Sequence, residues 1–351
     1  MNIKRRVAGG GFIMIIVITT LFLLAFLVPE GKAAEAVEHE EFKIHMHGAV
    51  PGSSGQIITF GWADLINKNS DWLKVTVSEE AGPGAAAPLM VSMPQKKKNT
   101  VMFVLEGQPQ GWSLGKPPLT PKKAYTSWTI IAKTINVPYG ILTFDPEIKT
   151  LYDMAGKKFS NLGRRTTCAM AMDNILDAVG LKTKVKIDYL DPVSGKDAFL
   201  SGLVQTVILP LSNDGPNWNK FPYFEEIMSS RDTYFVDMTK EAIEKGFAKY
   251  AWPHFPLLHV PKGAYGPTQE AFWTYYTGNL YTADKDMPEE VVYEMLRIMY
   301  EQMDSFKNYH IMAKSMSRET MGMVPVTEDQ KHPGAIKFYK EKGIKYGMSS
   351  K

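Results

Sequence analysis

Three short runs of small residues carry most of the chemistry this sequence can do. They are Gly52-Ser53-Ser54-Gly55, Gly82-Pro83-Gly84 and Gly163-Arg164-Arg165-Thr166-Thr167. Each follows a strand-like segment and leads into a helical one. The first backbone N–H groups of a helix have no intrahelical acceptor, and with the helix dipole they make a seat for a carboxylate or phosphate. Glycine lets a ligand approach the backbone, and serine and threonine add hydroxyl donors. Arg164 and Arg165 can add a two-pronged fork to the third run. An ordinary capped turn looks like any one of these runs, and two loop arginines also suit a solvated surface. Three runs in one chain favour anion binding.

Catalytic patterns are thin by comparison. The sequence contains no G-x-S-x-G elbow, no Walker A loop and no H-E-x-x-H pair. His45 and His47 share one face of a strand, with His39 nearby. No cysteine or acid completes a ligand set with them, so ordinary strand histidines are the simpler reading and no metal is expected. Cys168 is the one cysteine. It excludes an internal disulfide and reads as a small half-buried hydrophobe rather than a nucleophile. Met312, Met316, Met321 and Met323 fall near helical spacing and read as adaptable core filling.

The elements that must hold these loops alternate. Phe42 to His47 reads as a strand, and Ile58, Trp62, Leu65 and Ile66 mark one face of a helix. Leu73, Val75 and Val77 form a second strand, residues 85–93 a short helix and Thr100 to Leu105 a buried strand. Gln108 to Lys123, rich in Pro, Gly and Lys, reads as a surface excursion without a packed core. Order resumes at 129–132 and again at 139–144. A short strand ends near Leu162, and Ala169, Met172, Ile175, Leu176 and Val179 then share a helical face. Thr166 or Thr167 caps that helix, and Gly180 takes the left-handed position at its end. A strand at 185–189, a helix at 196–203 and a strand at 206–211 follow. Residues 221–251 suggest helices on the outside of a lobe. A long helix spans Met287 to Tyr309, and a last one runs from Pro333 to Lys342 and stops at Gly343. The rhythm of strand, loop and helix is that of a largely parallel α/β sheet, which gathers such loops at its carboxyl edge.

The N-terminus bounds where this chemistry operates. Lys4, Arg5 and Arg6 precede an apolar run from Phe12 to Val28, and Ala34-Glu35-Ala36 follows. Basic head, apolar middle and small-x-small exit are the layout of a secretory signal over residues 1–36, with a mature start near Val37. An uncleaved membrane anchor is the alternative. Residues 37–351 hold 36 basic and 35 acidic side chains, a charge of +1, which leaves no electrostatic footprint for nucleic acid. About 315 residues exceed one ordinary core and suggest two lobes.

Several segments, in order, resemble the TAXI-type solute receptors of TRAP transporters. They are Gly52-Ser53-Ser54-Gly55 with Ala63-Asp64-Leu65-Ile66-Asn67-Lys68, Gly82-Pro83-Gly84 and Ile148-Lys149-Thr150-Leu151-Tyr152-Asp153-Met154-Ala155-Gly156-Lys157-Lys158-Phe159. Pro261-Lys262-Gly263-Ala264-Tyr265, Met287-Pro288-Glu289-Glu290-Val291-Val292-Tyr293 and Val324-Pro325 with His332-Pro333-Gly334-Ala335 continue the series. Three places depart from the family pattern: Gly163 to Cys168, Gln56-Ile57-Ile58, and Pro210 to Asn217. Those are ligand-facing in the family, so its usual ligand does not carry over.

The resemblance implies a periplasmic, two-lobed binding protein of the second structural type. Each lobe would be a largely parallel sheet flanked by helices. Two crossovers, near 133–138 and 250–257, would join lobe 1 (37–133 and 257–351) to lobe 2 (134–256). It implies capture of a small organic anion in the cleft and delivery to a TRAP-type permease, without catalysis or cofactor. Ser53, Ser54, Gly55, Gly82 and Gly84 would hold one end of the ligand. Arg164, Arg165, Thr166 and Thr167 would hold the other, with Asn213 close by. A receptor for an ATP-driven importer, or an exported sensor or enzyme of related fold, are the alternatives.

Overall fold

The computed structural model describes residues 39–49, 53–78, 86–115, 123–164, 166–211, 218, 221–250, 253, 255–267, 269–324 and 326–347. The chain divides into two compact units, Met1–Glu40 and Glu41–Lys351, and the architecture below is that of the second. The secretory signal expected at 1–36 lies outside the described residues, as do Gly82, Gly84, Arg165 and Asn213.

The first block is built from β1 (Phe42–His47), α1 (Ser54–Asn69), β2 (Leu73–Ser78), α2 (Ala86–Ser92) and β3 (Thr100–Leu105). The strands pair in parallel in the order β2-β1-β3, with His45 level with Thr100. α1 lays Ile58, Trp62, Leu65 and Ile66 into the core, the face its apolar spacing marks out. The indole N–H of Trp62 donates to the Met295 carbonyl at 3.3 Å. The stretch after β3 corrects an expectation. A short helix, α3 (Gln108–Leu114), buries Trp112 completely among Met102, Tyr125, Trp128 and Leu280, so part of the expected surface excursion is core.

Two long strands then tie the molecule together. β4 (Trp128–Thr143) covers two segments that periodicity marks as separate, and β10 (Phe272–Asp284) runs antiparallel beside it. Between them in sequence comes the second block: β5 (Lys158–Asn161), α4 (Thr167–Ala178), β6 (Lys186–Tyr189), α5 (Pro192–Leu200), β7 (Thr206–Pro210), α6 (Pro222–Ser230), β8 (Tyr234–Val236), α7 (Lys240–Lys249) and β9 (Leu257–Val260). β5 pairs in parallel with both β6 and β7, while β7 and β8 run antiparallel to the far half of β4. α5 starts four residues before the expected 196, because the Asp191 carboxylate caps it by accepting from Val193 N and Ser194 N at 3.0 Å. Gly180, with φ 72°, takes the left-handed turn after α4.

β10 leads into α8 (Glu289–Glu301) and finally α9 (Pro333–Lys342). The expected continuous helix to Tyr309 is instead α8 followed by a tighter 3-10 segment, Met303–Asn308. That tightening places Phe306 in the core and brings the Tyr309 ring over Gly61, where an added Cβ would lie 2.8 Å from it. α9 ends at Gly343, φ 64°, at the position its sequence indicates.

Candidate functional site

The topology fixes where the loops open. β4 is antiparallel to β10 and β10 is antiparallel to β3, so the first half of β4 runs with β1, β2 and β3. Leu105, the last residue of β3, pairs with Asn279, and the neighbouring Leu280 pairs with Lys133. In the second block the direction is reversed. Pro210, the last residue of β7, pairs with Tyr139, and β5 and β6 run parallel to β7. The carboxyl edges of the two parallel blocks therefore face each other across residues 134–138 of β4. The described ends of β3 and β7 open toward this crossing, the place where open α/β sheets take ligands.

Both described helix starts are anchored to β10 at the crossing. Gly55 packs so tightly on Phe103 that an added Cβ would come within 2.4 Å of the ring. One turn on, the Thr59 hydroxyl donates to the Gly55 carbonyl at 2.7 Å and lies 2.8 Å from the Tyr281 hydroxyl. At the other start the Tyr275 hydroxyl donates to the Cys168 carbonyl at 3.0 Å. Tyr275 and Tyr281 are six residues apart on one strand, about 20 Å.

Much of the expected donor chemistry is already committed. Ser53 caps α1, its hydroxyl accepting from Gln56 N at 3.2 Å. Thr166 caps α4, accepting from Ala169 N at 3.2 Å while donating to the Gly163 carbonyl at 2.9 Å. Ser54 and Thr167 are buried beside them. What these starts still offer is their first-turn amides. Arg164 is exposed and turned to another task, with its guanidinium 4.3 Å from the centre of the Tyr189 ring. The Tyr189 hydroxyl in turn donates to Asp173 at 2.7 Å.

Cys168 is buried against Tyr139 and Tyr275, and burial pushes its thiol up to about 12, which keeps it protonated and unreactive. His45 and His47 stand edge to face, 4.7 Å apart, with Thr76 and Ser78 hydroxyls at their Nδ1 atoms. No three His, Cys, Asp or Glu side chains converge among the described residues.

A charged pair at the crossing escapes sequence reasoning. Glu106, the residue after β3, is buried and its carboxylate accepts from Gly278 N at 3.0 Å. Lys133 of β4 runs alongside, so that a Cβ on Gly278 would meet Glu106 Oε2 at 2.8 Å and Lys133 Cε at 3.5 Å. Burial raises the Glu106 carboxyl and lowers the Lys133 ammonium, and each charge restrains the other's shift. The only trace in the sequence is one lysine in an otherwise uncharged strand.

A family model matches residues 58–343. The chain belongs to the NMT1-like family. No curated protein matches it at a significant level. Among solved structures, this NMT1-like protein is similar to the periplasmic binding protein BugD, with 14% identity over 88% of this chain and 100% of that one and a TM-score of 0.53. It also aligns with the periplasmic aliphatic sulphonate binding protein SsuA from Escherichia coli, at 14% identity over 89% and 96% of the two chains and a TM-score of 0.45. Protein AF1704 from Archaeoglobus fulgidus aligns at 13% identity over 87% and 99%, with a TM-score of 0.47. The likeness to BugD is one of fold: the NMT1-like chain has the two-lobed α/β architecture of periplasmic binding proteins. No helix among its described residues is long and apolar enough to cross a membrane.

Proposed function

We propose that this protein is an extracytoplasmic solute receptor that holds a small organic anion at the crossing of its two lobes and presents it to a TRAP-type importer. The observation that carries the reading is the meeting of two carboxyl edges across β4. Membership of the NMT1-like family, the BugD-like fold and the ordered TAXI-type segments support it. The lobes divide on β4 at 133–138 and on β10 at 276–279. In this reading we place the second boundary there rather than near 257. β9 and the start of β10 bond within the second block, where Trp273 N donates to Asp237 at 2.7 Å and Tyr275 to Cys168. Ligand stabilises closure by binding the closed arrangement better than the open one, which requires no chemical step.

The protein purified from its exported location and then denatured is expected to release an intact small carboxylate, identified by mass spectrometry. Its intact mass is expected to correspond to a start near Val37. No released molecule, together with no carboxylate that raises the melting temperature, would refute the reading.

A further inference from the structure

The crossing is only partly closed to solvent. Thr134, Ile135 and Val137 of β4 and Thr277 and Asn279 of β10 are buried. Lys133, Asn136 and Tyr276 remain half-exposed. Asn136 stands directly opposite Gly278, so the two share a face, and Tyr276, two residues before Gly278, shares it too. Glu106 and the end of Lys133 lie where a Cβ of Gly278 would be. The four polar side chains therefore gather around one glycine, between the two carboxyl edges.

Their hydrogen bonding is incomplete. Lys133 Nζ has no acceptor among the described residues, and no oxygen of Glu106 lies within ion-pair distance of it. Asn136 Oδ1 is buried and finds no donor among them. A half-buried ammonium with three unused N–H groups beside an unfilled amide acceptor asks for an anionic acceptor and a hydrogen-bond donor. We infer that Lys133 is the counter-charge for the carboxylate of the ligand and that Asn136 accepts from a donor on the same molecule. Glu106 limits that molecule to one negative charge at this point.

The inference rests on the receptor reading and deepens it, because it moves the anion from the Arg164 loop to the crossing strands. The ligand it describes is a monocarboxylate with a hydroxyl or amino group near the carboxylate. A second carboxylate at this end would face Glu106 instead of a cation.

Bromide is the probe for the test, located by anomalous diffraction from crystals of the whole protein. A peak within hydrogen-bonding reach of Lys133 Nζ is expected in the wild type and is expected to vanish in Lys133→Met. In solution, acetate should raise the wild-type melting temperature with an apparent affinity about tenfold or more above that for Lys133→Met, the scale of one lost charged hydrogen bond. Glu106→Gln should keep acetate binding and gain about tenfold for succinate. If Lys133→Met does not fold, the same measurements apply to Lys133→Met combined with Glu106→Gln, which buries no lone charge. Bromide absent from Lys133 in the wild type, or retained there in the variant, overturns the assignment. A copurifying carboxylate held equally by wild type and variant overturns it too, while leaving the receptor reading intact.

Discussion

His332 makes the stability of this fold dependent on acid. The ring is fully buried at the N-cap of α9. Its Nδ1 accepts from Gly334 N at 3.2 Å, and its Nε2 lies 3.0 Å from the Met287 carbonyl, to which it donates. Both nitrogens are thus satisfied only in the neutral ring, since a second proton would sit on the atom that caps the helix. Burial pushes the imidazole down from 6.5 to about 4, against the pull of the Met287 carbonyl and of Asp284. The Asp284 charge is already shared with Tyr125, Ser127 and Lys97. With a depressed native value, the unfolded chain takes up the proton first. The contribution is whole above pH 6.5 and drains away as pH falls toward 4. At pH 4.5 the loss comes to about 2.5 kcal/mol, from 1.36 kcal/mol per unit. His332→Asn keeps a capping acceptor but removes this titration. Urea denaturation at pH 7 and pH 4.5 should show the wild type losing about 2 kcal/mol more than the variant. His310, also lowered by burial, titrates in both proteins and cancels in the comparison. Equal losses in the two proteins would refute the reasoning.

Two further outcomes test the packing. Lys331 is buried, with the Val324 carbonyl at 3.5 Å as its acceptor among the described residues, and burial lowers its ammonium to about 8. It is charged in both folded and unfolded chains below pH 8, and its penalty is relieved between pH 8 and 10.5. Lys331→Met should therefore stabilise the protein by about 2–3 kcal/mol at pH 7 and by progressively less above pH 8, read from melting curves across that range; a gain that does not fall with pH contradicts it. Gly55→Ala would drive a methyl to 2.4 Å from Phe103 Cζ and 3.0 Å from Ala49 Cβ. It should cost about 1–3 kcal/mol in chemical denaturation despite the better helix propensity of alanine, and a neutral result would mean that Phe103 can yield.

Local rules made much of the fold legible. Thr166 caps α4, Gly180 and Gly343 turn left-handed, and α1 buries the stripe that Ile58, Trp62, Leu65 and Ile66 announce. These depend on neighbours within a turn or two, and the sequence states them directly. The two crossing strands were harder to read. β10 carries Trp273, Thr274, Tyr275, Tyr276 and Thr277 without clean alternation, because it is buried on both faces over most of its length and its partners change from β9 to β3 along the way. β4 shows two apolar stretches with Lys133, Thr134 and Asn136 between them, and an interruption of that kind looks like a loop until both strands are seen side by side.

The same contrast separates the loops, which read as ligand seats, from the crossing, which does not. A helix start advertises itself by its cap residues, but caps consume the hydroxyls that make them recognisable, as Ser53 and Thr166 do here. A residue that serves a ligand has its bonding capacity left over, and that property depends on register. Lys133 stands beside Glu106 only because Leu280 pairs with Lys133 and the backbone at Gly278 has no side chain to part them. Shifting β10 by one residue would turn Asn136 away from Gly278's open side and leave Lys133 with no carboxylate nearby. On the proposed reading, the crossing binds an anion only while both lobes hold their shared strands in register. A site placed there reports on the relation between the lobes directly, which a site on either loop alone could not do.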